Sequence, residues 1–236
     1  LVFFLILSAG IYAQEDTMLK EEIKESGHTN QNKFRQLYEE FSTPNQYRTG
    51  SGAPGEAYYQ NQADYKMDIE LDDKNQIITG VETITYHNNS PDDLEYLWVQ
   101  LDQNIRSKNS PALLKNGNRI APISRTEEFV KEFMDEPFDG GFNIEEVSKN
   151  GKPLPYTINF TMMRVDLPQP LKAGESYSFS VKWWYKVNNH VVNRARSGFE
   201  HFPEDGNNAY VIAQFFPRMA VYNDVEGWQN NMVRGN

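Results

Sequence analysis

The chain has 236 residues, with 33 Asp and Glu against 23 Lys and Arg, a net charge of -10 and no cysteine. The acidic balance speaks against a nucleic-acid partner, because neutralising phosphates needs a clustered basic face. The missing cysteines exclude disulfide staples, thiol nucleophiles and thiolate zinc sites together. With 39% hydrophobic and 13% aromatic residues, the chain can bury a core in one large domain or two small ones.

In chain order, LVFFLILSAGIYAQ is an apolar stretch followed by small residues, with a cleavage position after Ala13, the pattern of a secretory signal peptide. Residues 1–13 are therefore expected to be a signal remnant, and the protein to be exported to the periplasm, the outer envelope or beyond. The stretch is shorter than the roughly 20 apolar residues of a membrane span, so none is expected. Residues 14–56 form a polar leader. Within it, NKFRQLYEEFS places Phe34, Leu37, Tyr38 and Phe41 at helical spacing, which predicts one short helix, and the Gly/Pro/Ser-rich TPNQYRTGSGAPG predicts a flexible join.

From Tyr58 the period changes to two. In DYKMDIELDD, Tyr65, Met67, Ile69 and Leu71 share one face and Lys66, Asp68 and Glu70 the other, the alternation of a half-buried strand. Asp72-Asp73-Lys74-Asn75 is a turn, and QIITGVETITYHN is its partner strand. The alternation breaks at Gly80, which predicts a β-bulge there. LEYLWVQL is apolar on both faces, as a central strand would be. The pattern is lost over 103–140, where RTEEFVKEFMDE fits a short amphipathic helix in a long insertion. Lys149-Asn150-Gly151-Lys152 predicts a hairpin. SYSFSVKWWYKVN then sets Tyr177, Phe179, Val181, Trp183, Tyr185 and Val187 on one face against Ser178, Ser180, Lys182, Lys186 and Asn188. A last hairpin turns at Glu204-Asp205-Gly206-Asn207. Roughly eight short alternating strands give an all-β, mainly antiparallel fold, a β-sandwich or saddle.

Candidate chemistry is sparse. None of His28, His87, His190 and His201 lies in an H-E-x-x-H pattern, and Phe199-Glu200-His201 sits in a hairpin, where a strand-end His beside solvated carboxylates is the better reading. The pairs Asp72-Asp73, Asp92-Asp93, Glu127-Glu128 and Glu145-Glu146 adjoin turns or exposed faces. Of Trp183-Trp184, the first is expected in the core. The second is expected at an interface, or in a sugar-stacking platform.

Two long phrases carry a resemblance. DYKMDIELDDKNQIITGVETITYHNNSPDDLEYLWVQLDQNI resembles the opening strands of the aminopeptidase N-like gluzincin zinc metallopeptidases of the exported bacterial branch. AYVIAQFFPRMAVYNDVEGWQ is similar to the segment that ends their N-terminal domain. The likeness covers roughly 57–236 in the correct order. It implies a β-saddle N-terminal domain over 57–216 that packs on a thermolysin-like catalytic domain, with 217–236 starting the connection to it. H-E-x-x-H, its downstream Glu ligand and G-x-M-E-N are not in this sequence, which implies zinc bound outside it and an inactive fragment of a peptide hydrolase. In the family, the closing segment reaches into the cleft and helps hold the substrate's free amino end or its first side chain. Here that segment is Ala213-Gln214-Phe215-Phe216. Gln214 matches the family's first polar position, which makes it the candidate substrate-binding residue, with a hydrogen bond to a neighbouring loop as its ordinary alternative. Phe216 departs from the acid or amide usual at its position. Phe215, Phe216 and Pro217 are expected to pack beneath the catalytic domain, with the two rings on opposite strand faces. The rival expectation is a stand-alone secreted β-sandwich binding or adhesion module.

Overall fold

The computed structural model describes residues 44–111, 138–192 and 196–233, with Arg125, Thr126, Val130 and Met134. The signal remnant, the helix expected over 32–42 and most of RTEEFVKEFMDE lie outside the described residues. Within the last of these, the Met134 amide donates to the Val130 carbonyl at 2.8 Å, the four-residue reach of a helical turn.

The chain divides into two compact units, Tyr58–Asn223 with Trp228–Asn236, and Leu1–Ala57 with Asp224–Gly227. In the smaller one, the Asn45 carboxamide Oδ1 accepts from the amides of Tyr47 and Arg48, and the Arg48 Nε lies 2.7 Å from Asp224 Oδ2. The larger unit is mainly antiparallel β, and it also carries a 3-10 turn, η1, Asp102–Arg106.

Its main sheet runs in the order β1 (Gln62–Asp72), β2 (Ile77–His87), β8 (Ser176–Lys186), β4 (Asn143–Lys149) and β5 (Lys152–Pro153). A second sheet runs β11 (Arg218–Met219), β3 (Leu94–Gln100), β7 (Met162–Leu171) and β6 (Tyr156–Asn159). β9 (Gly198–Phe202) and β10 (Asn207–Val211) form a two-stranded sheet, and Phe199 of β9 also bridges to Asn189. The short β12 (Tyr222–Asn223) and β13 (Gly227–Trp228) follow. One apolar cluster takes Ile84, Phe179, Val181 and Trp183 from the first sheet and Leu97, Val99, Met163 and Val165 from the second, which is the core of a sandwich. The alternation of SYSFSVKWWYK is realised in full: Tyr177, Phe179, Val181, Trp183 and Tyr185 are buried and the residues between them are not.

The turns form where expected. Asp72 Oδ1 accepts from the amides of Lys74 and Asn75, and Asn150 and Gly151 both have positive φ, 51° and 73°, as a two-residue hairpin loop requires. The bulge expected at Gly80 is absent. Pairing runs unbroken through Ile69↔Gly80 on one side and Gly80↔Trp183 on the other. Glycine is there for room: a Cβ at this position would run into the Trp183 indole at Cζ2 and Cε2. The register shifts lie instead at Leu94/Tyr96 and Ile144/Glu146.

The phrase HNNSPDD owes its character to a buried corner. Asn88 is buried, its Nδ2 donates to the carbonyls of Asp92 and Leu171, and its Oδ1 accepts from Ser90 Oγ at 2.6 Å. An apolar residue there would leave these carbonyls without donors.

Candidate functional site

β10 ends at Val211, and β11 begins at Arg218, so Gln214 lies in the connection between them and not within a strand. Its backbone is left-handed, with φ 45°. A non-glycine residue in this region is strained by roughly 1–2 kcal/mol, so something must hold it. The holder is Gln103 in η1. Its side-chain Nε2 donates to the carbonyls of Ala213, at 3.0 Å, and Gln214, at 3.1 Å. Two bonds of about 1 kcal/mol each are of the size needed to offset the strain.

Gln103 is itself only 3% exposed, and its orientation is fixed chemically. Arg106 Nη1 donates to Gln103 Oε1 at 2.8 Å, and a guanidinium has no acceptor, so the carboxamide oxygen must face it. The other arm of Arg106, Nη2, donates to Ser197 Oγ at 2.9 Å, and the Ser197 carbonyl accepts from Asn188 Nδ2 at 2.8 Å. Burial pushes the Arg106 pKa below its ordinary value, although the nearby Tyr185 opposes that. Downstream, Arg218 Nε meets Asp102 Oδ2 at 2.8 Å, so η1 grips the connection on both sides of Gln214.

The side chain of Gln214 is exposed. The residues after it are not free. Phe215 and Phe216 are half-buried and pack on the domain's own core, and Pro217 is buried. The two rings are 5.1 Å apart, and Phe216 meets the Tyr65 ring edge-on at 5.3 Å. Neighbouring rings cannot be that close on opposite faces of a strand. The expected arrangement therefore gives way to one in which Tyr65 covers Phe216 and anchors the segment, its hydroxyl accepting from the Met219 amide at 2.8 Å.

The other candidates are dispersed. Glu200 Oε2 pairs with His190 Nε2 at 3.1 Å, while His201 Nδ1 meets Asn208 Oδ1 at 2.8 Å. Asp73 accepts from Tyr210 and Asn208, which lowers its pKa, whereas burial and that same bond push Tyr210 up to about 12. Asp93 pairs with Lys172 and Glu145 with Lys182. Glu127-Glu128 lies outside the described residues. Trp183 is fully buried and Trp184 half-buried. Among the described residues no three His, Asp or Glu side chains converge as a metal site would require, so no zinc-dependent step can be derived from them.

No protein-family model matches the chain, and no curated protein does. Solved structures match in part. An M1 zinc metallopeptidase mutant from Deinococcus radiodurans is 13% identical, with a TM-score of 0.36, over 63% of this chain and 25% of that one. A two-domain M1 zinc metallopeptidase mutant bound to L-tryptophan is 13% identical, with a TM-score of 0.33, over 58% and 23%. A GH20 exo-β-N-acetylglucosaminidase from Vibrio harveyi, bound to N-acetylglucosamine, is 12% identical, with a TM-score of 0.29, over 70% and 18%. The chain thus spans a quarter or less of the length of these structures, and likenesses of this strength do not reach to activity.

Gln103, Arg106 and Ser197 were not singled out from the sequence. The bond from Gln103 spans 110 residues of chain, and no periodicity reports a contact of that kind.

Proposed function

We propose that this chain is the N-terminal substrate-cleft and packing domain of an exported zinc-dependent aminopeptidase, with the zinc and the hydrolytic groups supplied by a catalytic domain outside these residues. The two motif phrases in order support the family, and one structural observation carries the site: the exposed Gln214 on a strained, pinned turn. Strain of this kind persists only where surrounding structure imposes it, and it gathers at ligand-holding positions. A carboxamide oxygen there accepts from the ammonium of a peptide's free end, while its NH2 donates to a carbonyl. Phe216, held under Tyr65, has no polar atom to offer, so the amine contact from this segment falls to Gln214. The apolar run 215–217 is mostly consumed by its own domain, and packing against a catalytic domain uses what remains exposed of it.

The test is to express the product of the whole gene beside residues 14–236 and to follow amino-acid release from amino-acyl 4-nitroanilides, with and without a zinc chelator. Zinc-dependent release by the whole product and none by residues 14–236 is the expected result. Release by residues 14–236 alone would sink the division of labour. Half-buried Trp184 on the solvent face of β8 supports the rival reading, a secreted binding or adhesion module, and that reading expects saturable polysaccharide binding that is lost in Trp184→Ala.

A further inference from the structure

We infer that Gln103 is the positioning residue of this site: through the chain Ser197–Arg106–Gln103 it sets the place of the Gln214 carboxamide, and with it the grip on a peptide's free amino end. The inference rests on the aminopeptidase reading and adds a determinant that the motif resemblance does not contain.

The geometry is specific in three ways. Both hydrogens of the Gln103 amide go to consecutive carbonyls, those of Ala213 and Gln214, and drawing two neighbouring carbonyls to one donor bends the backbone at the residue between their peptide planes. That residue is Gln214, the one described position between β10 and β11 with positive φ. The amide cannot rotate, because its oxygen is taken by Arg106. Arg106 is in turn held at its far nitrogen by Ser197, just before β9. The turn is therefore referenced to η1 and to the start of the β9–β10 hairpin. Nothing in this arrangement would touch substrate, since Gln103 is buried. Its influence passes through Gln214.

Gln103→Glu separates positioning from folding. The carboxylate keeps an acceptor for Arg106 but has no hydrogen for the two carbonyls and faces them with like polarity. Gln103→Ala removes both arms. In the 236-residue chain, NMR Cα and Cβ shifts of Gln214 read its backbone region directly, and both variants are expected to lose the left-handed signature while the β8 signals stay in place. In the whole gene product, both are expected to raise KM for an amino-acyl nitroanilide about tenfold, with kcat within twofold. Gln214→Ala should do the same, and the Gln103→Ala/Gln214→Ala double variant should be no worse than Gln214→Ala alone, because the two act as one unit. Multiplied losses in the double variant, or an unchanged KM with the signature lost, would overturn the inference. If the whole product has no peptidase activity, or Gln214→Ala is silent, the aminopeptidase reading falls, and the NMR arm decides the bracket by itself: a left-handed signature retained in both variants overturns it.

Discussion

The sandwich core and the β10–β11 connection treat buried polar groups in opposite ways. Around Gln214, the amide of Gln103, the guanidinium of Arg106 and the hydroxyls of Ser197 and Tyr65 all have partners. In the core, both carboxyl oxygens of Glu82, the indole Nε1 of Trp183 and the hydroxyls of Tyr177 and Tyr185 have none among the described residues. The connection is thus specified by directional bonds that fix a conformation. The core is specified by apolar packing strong enough to carry orphaned polar atoms that each cost something. One region spends polar groups on geometry, and the other tolerates them.

The largest test of this contrast is Glu82. It is 0% exposed on β2, paired in register with Met67 of β1 and Val181 of β8, and burial raises its pKa from 4.5 to about 9. The folded state therefore holds a proton that the unfolded chain has released above pH 4.5. Its stability is greatest below that value and falls as pH rises toward 9. At about 1.4 kcal/mol per pH unit, the deficit at pH 7 is roughly 3 kcal/mol. Glu82→Gln should be more stable than the parent by about that amount at pH 7 in urea melts, with the gap closing below pH 5. A gap that does not vary with pH would mean that the carboxyl is ionised and partnered.

Gly80→Ala comes next. The added methyl meets the ring of Trp183, which is itself fully buried and stacked on Tyr185 with centroids 5.8 Å apart, so it has little room to give. Overpacking of this kind costs about 1–3 kcal/mol. A neutral result by thermal melt would show the core to be looser than its orphaned atoms suggest. This residue also marks the limit of the sequence. A glycine in a strand signals either a bulge or a close approach, and only the partner across the sheet, 103 positions away at Trp183 by the register, decides which. Alternation, by contrast, is local, which is why the faces of β8 and the Asn150-Gly151 turn were legible from residues alone. Phe215 and Phe216 failed to follow alternation because their backbone is bent by Gln103 and ceases to be a strand. Gln214 could be nominated only by likeness to a family; its strain, and the buried amide that holds it, depend on distant contacts.

Tyr65→Phe should cost about 1 kcal/mol, since it keeps the ring against Phe216 and removes only the acceptor for the Met219 amide. Chemical denaturation of the variant checks it. The directional account of the connection predicts that amide exchange at Met219 accelerates while the Glu82 strand remains protected. Uniform acceleration would make the connection one cooperative unit with the core and would erase the contrast.

The smallest effect is the most telling. Gln214→Gly places at φ 45° the residue that tolerates it best. Relief of left-handed strain is partly offset by the greater freedom of glycine in the unfolded chain, so a net gain of about 0.5–1 kcal/mol is expected. The same substitution removes the carboxamide and should raise KM in the whole gene product. A variant that is more stable and binds substrate less well would show that the strain at this turn is maintained against stability in order to present a side chain. A loss of stability would show instead that the Gln214 side chain has packing of its own, and that the turn is held for the fold.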